Sequence, residues 1–107
     1  MSEGIKYDTD KLRMDLITPE FEKALAEILT MGAKKYGDRN WELGMDPNRI
    51  IAAMRRHMLA VRLGESVDPE SGLSHLAHAA CNLMFLVTYE ARGMLDFQPL
   101  VKETPDE

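Results

Sequence analysis

The sequence predicts an all-α domain of three main helices, near residues 19–36, 47–63 and 69–92, in a bundle completed by homo-oligomerisation. Three observations predict it. A capping side chain followed by proline occurs at Thr18-Pro19, Asp46-Pro47 and Asp68-Pro69; glycine follows each apolar run, at Gly37, Gly64 and Gly93; and the apolar residues between recur at helical spacing. A side-chain oxygen before the first turn accepts from an unpaired N–H, proline at the first helical position gives up no bond, and glycine tolerates the left-handed backbone that closes a helix.

In the first helix Phe21, Leu25, Ile28 and Met31 fall on one side, and in the second Ile50, Met54, Met58 and Val61 do the same. Both are amphipathic. The third is apolar nearly all round through Leu76, Ala77, Ala79, Ala80, Leu83, Met84, Phe85 and Leu86, which marks it as the central element. Two amphipathic neighbours do not hide such a helix on every side, and small domains bury only about 60% of their unfolded surface, so a further copy of the chain is expected to cover the rest. Residues 1–17 read as an ordered arm lying over the bundle, 18–93 as the helical domain and 94–107 as an extended tail, mobile over at least its last six residues.

With 107 residues there is room for one core, and no run of eighteen apolar residues offers a membrane span. One cysteine, Cys81, has no partner within the chain and falls among Ala79, Ala80 and Leu83, where it reads as packing; with the polar start MSEGIKYDTD it points to a reducing, cytoplasmic setting. The net charge of −5 is uneven: residues 34–62 carry +4 and the remainder −9. That balance disfavours a long nucleic-acid track and allows a local pocket for a small phosphorylated ligand. Phosphate-loop, nucleophile-turn and C-x-x-C motifs are all missing, leaving no candidate for covalent catalysis.

The polar residues on apolar faces carry the functional signal. His57 lies between Met54 and Val61 on the inward face of the second helix, and His75, His78 and Asn82 share one stripe of the third. A buried imidazole or amide without a partner costs about 1–3 kcal/mol, so this stripe needs hydrogen bonds, a metal or a ligand. A core hydrogen bond is the commoner fate of one inward histidine; four aligned polar groups point equally to a pocket. In the connector GESVDPESG, Glu65, Asp68 and Glu70 crowd together, with Glu65 and Asp68 spaced E-x-x-D, as a hard divalent cation requires. Asp68 is also explained as a helix cap and Glu70 by the helix dipole. In AKKYGDRNWELG, Lys34, Lys35, Arg39 and Asn40 are interleaved with Tyr36 and Trp41, a combination that suits phosphate oxygens and a stacked base. The competing reading gives both lysines to the helix end and Trp41 to the core; Arg49, Arg55, Arg56 and Arg62 likewise read equally as a solvated face.

The strings KYDTDKLRMDLITPE, GAKKYGDRNWELGM, RRHMLAVRLGE and DPESGLSHLAHAACNLMFL resemble the phage-type dATP/dGTP diphosphohydrolase N-terminal domain family over about residues 5–92. The resemblance implies a helical, nucleotide-handling domain related in activity to the MazG-like pyrophosphohydrolases, oligomers that split a nucleoside triphosphate to monophosphate and pyrophosphate with magnesium. Those enzymes hold metal with E-x-x-E and E-x-x-D on successive helices. This chain has no E-x-x-E, and its E-x-x-D pairs are Glu65–Asp68 and Glu103–Asp106. The expectation is therefore a purine deoxynucleoside triphosphate hydrolase using Mg2+, or Mn2+. Glu65, Asp68, Glu70 and His75 would hold the metal, and His57, His78 and Glu65 would act in catalysis. Lys34, Lys35, Arg39 and Arg56 would neutralise phosphate, Tyr36 or Trp41 would stack the base, and Asn40 and Asn82 would contact the nucleotide. The alternatives are a binding protein that sequesters a phosphorylated or cyclic nucleotide without converting it, and a helical adaptor.

Overall fold

Thr18 accepts from the Phe21 N–H at 3.3 Å and Asp46 from the Asn48 N–H at 2.9 Å, and each is followed by a proline that opens a helix. The computed structural model describes residues 4–97: helix α1 is Pro19–Tyr36, α2 is Pro47–Arg62 and α3 is His75–Ala91, with single 3-10 turns at Met14–Leu16 and Asn40–Leu43. There is no paired sheet among the described residues, only one isolated bridge between Val67 and Ser74. The fold is the expected all-α one. The second helix ends one residue earlier than the spacing predicts.

The third helix starts six residues later than expected, at His75 rather than 69. Asp68 does accept from a nearby N–H, that of Glu70, at 2.9 Å, but the turn it caps does not continue. Gly72 takes φ +74°, a left-handed conformation that ends any helix begun at Pro69. The chain instead folds back: Asp68 N–H bonds to Leu73 C=O at 2.9 Å and His75 N–H to Ser66 C=O at 3.0 Å. Ser74 then supplies the true cap, accepting from Ala77 N–H. An Asp-Pro pair marks a turn as readily as a helix start, and the left-handed glycine decides between them.

α3 is the central element. It packs along α2 and, less extensively, along α1, while α1 and α2 diverge and leave an open cleft between them. Ile28, Ala77 and Cys81 form one small core with Leu25 and Leu73 against it; Ile50, Leu86 and Tyr89 form another, covered by Trp41, Ile51 and Phe85. Tyr89, 1% exposed, donates its hydroxyl hydrogen to the Trp41 carbonyl and so ties the connector after α1 to α3.

Two further expectations meet different outcomes. In the arm, Ile5, Tyr7, Leu12, Met14 and Leu16 are all exposed. Alternating charges and single apolar residues give it no continuous face to bury. Phe21, expected on the inward side of α1, is also exposed, and Ile28 is the one buried residue of that helix. Leu76, Leu83 and Val87 stay 53%, 51% and 56% exposed on one side of α3, as two covering helices alone would leave them. The end of the tail and Glu103–Asp106 lie outside the described residues.

Candidate functional site

Three helix positions and one loop create a polar cluster where α2, α3 and the segment joining them meet. His57 Nδ1 and His75 Nδ1 are 2.8 Å apart, and His75 Nε2 is 2.7 Å from Glu65 Oε1. Since an ionised carboxylate only accepts, His75 donates Nε2–H to Glu65. With His75 neutral, its Nδ1 must then accept from His57 Nδ1–H. That chain of bonds leaves the Nε2 lone pair of His57 bare. His75 is 5% exposed, so the relay's middle member is the buried one.

His78 lies face to face with His57, ring centroids 4.5 Å apart and planes within 5°. Its Nε2 is 2.7 Å from Ser71 Oγ and 3.6 Å from Asp68 Oδ2, the latter too long for a hydrogen bond. Ser71 Oγ in turn accepts from Leu73 N–H, and Asp68 Oδ1 from Glu70 N–H, so the loop itself orients both groups. Burial pushes the His57 imidazole below its ordinary value, with His78, His75 and Arg56 adding to that and Asp68 opposing it. Burial does the same to His78, with Asp68 and Glu70 opposing. The Asp68 carboxyl is held low, first by the Glu70 N–H. These shifts favour neutral His57 and His78 imidazoles beside an ionised Asp68 carboxylate.

The cleft is a separate but adjoining space of about 1420 Å³. His78, Cys81, Asn82 and Phe85 line its α3 side, and Arg49, Ala52, Ala53 and Arg56 its α2 side. Those α2 positions recur at i, i+3, i+4 and i+7, which puts two guanidinium groups and two small side chains on one face. Tyr36, Arg39, Asn40 and Trp41 come from the end of α1 and the connector. His78 belongs to both the cleft and the imidazole cluster. Burial pushes the Cys81 thiol up to about 11, so it packs as a neutral group.

Several of the expected site residues are thus brought together, and others are not. His57, His75, His78, Glu65 and Asp68 converge, while Tyr36, Arg39, Asn40, Trp41, Arg56 and Asn82 line the cleft. Lys34 lines a different, shallow depression with Lys23, Glu27 and Leu73. Lys35 is exposed, its Nζ 5.1 Å over the Tyr36 ring, and its pKa is raised first by a hydrogen bond with Tyr36. Trp41 stacks on Phe85 at 4.7 Å, so its ring belongs to the core as well as the cleft wall; Tyr36 is the more open aromatic, 63% exposed. Arg39 and Arg92 both reach Glu42, at 3.6 and 2.7 Å. Asn82 donates back to the His78 carbonyl at 3.1 Å.

Glu65, Asp68 and Glu70 do not form one oxygen cage. Glu65 is bonded to His75, Asp68 faces His78, and the Glu70 residue is exposed. Among the described residues the group able to hold an ion is His57, Asp68 and His78. Magnesium demands a mostly oxygen shell, and this donor set does not fit it as a resident ion. Ser71 and Arg92 were not singled out by sequence, and Arg49 read equally as part of a solvated face. Ser71 was hidden by the helix expected from Pro69, whereas the seven-residue spacing of Arg49 and Arg56 was readable.

The family described as dATP/dGTP diphosphohydrolase, N-terminal, matches residues 1–97. The chain belongs to that family. A relative from Salmonella phage PMBT28, named dATP/dGTP diphosphohydrolase, is 42% identical over 83 residues, which is 78% of this chain. The match spans 28% of that relative's length, so the chain corresponds to only part of it. No solved structure matches.

Proposed function

We propose that this domain binds a purine deoxynucleoside triphosphate in the cleft between α1 and α2 and hydrolyses it to the monophosphate and pyrophosphate. The observation that carries the reading is the position of His78, which is at once in a cleft flanked by Arg49 and Arg56 and in the imidazole cluster. Guanidinium groups suit phosphate oxygens, Tyr36 offers a ring for the base, and Asn82 offers an amide at its edge. The name carried by the phage relative supports the substrate class.

In this reading a water attacks the α-phosphorus, the bond to the bridging oxygen breaks, and pyrophosphate leaves. The water's proton goes to the bare Nε2 of His57, whose other nitrogen is held by His75 and, through it, by Glu65. Arg49 and Arg56 offset charge building on the phosphate oxygens. Any magnesium would be held by the triphosphate oxygens, ligands of the kind it prefers, and would offset their charge beside Arg49 and Arg56. The setting is the cytoplasm, of a host cell if the chain is phage-encoded.

The exposed stripe of Leu76, Leu83 and Val87 suits a second copy of the chain as partner. The test of the activity is incubation with dGTP and divalent cation, followed by separation of products. Formation of dGMP and pyrophosphate is expected; no turnover above a His57→Ala, His78→Ala double variant overturns it. The lack of an E-x-x-E pair favours one other reading, ligand binding without conversion. Tight nucleotide binding indifferent to chelator, with the ligand recovered intact, selects that reading instead.

A further inference from the structure

His57, Asp68 and His78 each offer one ligand atom, and all three atoms lie within 4.8 Å of one another. They come from α2, the joining loop and α3, so an ion among them would link three elements. We propose that this trio is a binding site for an imidazole-preferring divalent transition ion of the Zn2+, Co2+ or Fe2+ kind, selected over magnesium by two nitrogen donors and one carboxylate.

The donor chemistry suits such an ion. Imidazole suits Zn, Fe and Ni, and two histidines with one carboxylate leave open positions on the ion for water or substrate oxygen. The spacing suits it as well. In a tetrahedral shell with bonds of about 2.0–2.1 Å, neighbouring ligand atoms stand about 3.4 Å apart. His78 Nε2 and Asp68 Oδ2 stand 3.6 Å apart, too far to bond each other and close to the edge of such a shell.

The groups around the trio give it support. Metal-bound histidines usually donate their other N–H to a carboxylate or a further acceptor, which fixes ring and tautomer. His57 has that arrangement in extended form, Nδ1 to His75 and His75 to Glu65, leaving Nε2 free to ligate, so that a bound ion and the water's proton compete for one lone pair. Asp68 has its Oδ1 fixed by Glu70 N–H, leaving Oδ2 to ligate. An ion taking His78 Nε2 displaces the Ser71 hydroxyl, which keeps its bond from Leu73 N–H. It also opens the parallel His57–His78 stack by side-chain rotation. His57, Asp68 and His78 are all half-buried, so an ion can enter from solvent.

The test is a Co2+ titration of chelator-stripped protein, followed by visible absorption. Ligand-field bands absent from aqueous Co2+ should grow to one equivalent, and Zn2+ should remove them where a large excess of Mg2+ does not. His78→Ala and Asp68→Asn should abolish the bands. Glu65→Gln, which alters the support and no ligand, should keep one site and weaken it about 10–100-fold. Absence of bands in the wild type, equal competition by Mg2+, or bands persisting in both ligand variants overturns the proposal. The wild-type titration stands even where a variant fails to fold. Absorption reports the ion and not turnover, so a protein inactive on dGTP leaves this proposal intact, and failure here leaves the nucleotide reading intact.

Discussion

The two ends of the α2–α3 pair are joined by opposite means. Toward the start of α2, Ile50, Leu86 and Tyr89 bury one another beneath Trp41 and Phe85, and the Tyr89 hydroxyl is spent on a backbone carbonyl. Toward its end, His57, His75 and His78 meet Glu65 and Asp68, and the bonds they make leave His57 Nε2 and Asp68 Oδ2 uncommitted. Apolar burial clamps the first end, at about 25 cal/mol per Å² removed from water. The second end is polar, and its half-buried His57 and His78 imidazoles are pushed below their ordinary values by that burial. One pair of helices thus separates the task of staying folded from the task of presenting chemistry.

Breaking each end should have different consequences. His57→Ala should lower turnover of a purine deoxynucleoside triphosphate by about 10²–10⁴-fold, the usual worth of a positioned base, and cost about 1–3 kcal/mol of stability because it unpairs the buried His75 Nδ1. A parallel collapse of activity and stability would erase the contrast. Ile50→Ala should act on stability alone, destabilising the chain by about 2–5 kcal/mol in a urea melt; a midpoint that does not move would mean the apolar end is no clamp. Arg56→Ala should weaken triphosphate binding about 10–100-fold in calorimetry, the equivalent of losing a charged hydrogen bond. Its loss should also flatten the dependence of affinity on salt.

The smallest effect is in pH. The folded-state values of His57 and His78 lie below the ordinary imidazole value, so the unfolded chain binds more protons as pH falls through about 6.5. Stability should therefore be full above that value and decline below it, until the folded values are passed. Asp68, held low, loses its contribution only further down, in the carboxylate range. Thermal melts in chelator at about pH 7.5 and 5.5 should show the drop, and His78→Asn should reduce it. An unchanged difference in that variant would assign the drop to other groups.

Much of the fold was legible in the order of residues, because caps, glycines and apolar spacing are local. Thr18-Pro19 and Asp46-Pro47 start helices as written. Asp68-Pro69 does not, since the path of the chain after Pro69 depends on Gly72 adopting a left-handed backbone and on a bridge between Val67 and Ser74, which pair only when the loop closes. The histidines were legible as residues out of place on apolar faces. Their pairing was not: that Glu65 serves His75 while Asp68 faces His78 is fixed by the loop's fold, and E-x-x-D spacing carries no such information. Lys34 and Lys35 sit beside Tyr36 in sequence, yet the turn of the helix sends Lys34 to another face.

Ala52 and Ala53 stand between Arg49 and Arg56 on the wall of the cleft, and their side chains are single methyl groups. At that level the α2 wall presents two methyl groups between two guanidinium groups. A valine or leucine there would narrow the slot while leaving every arginine and imidazole untouched. Ala53→Val should therefore weaken triphosphate binding in calorimetry while leaving the arginines and imidazoles in place.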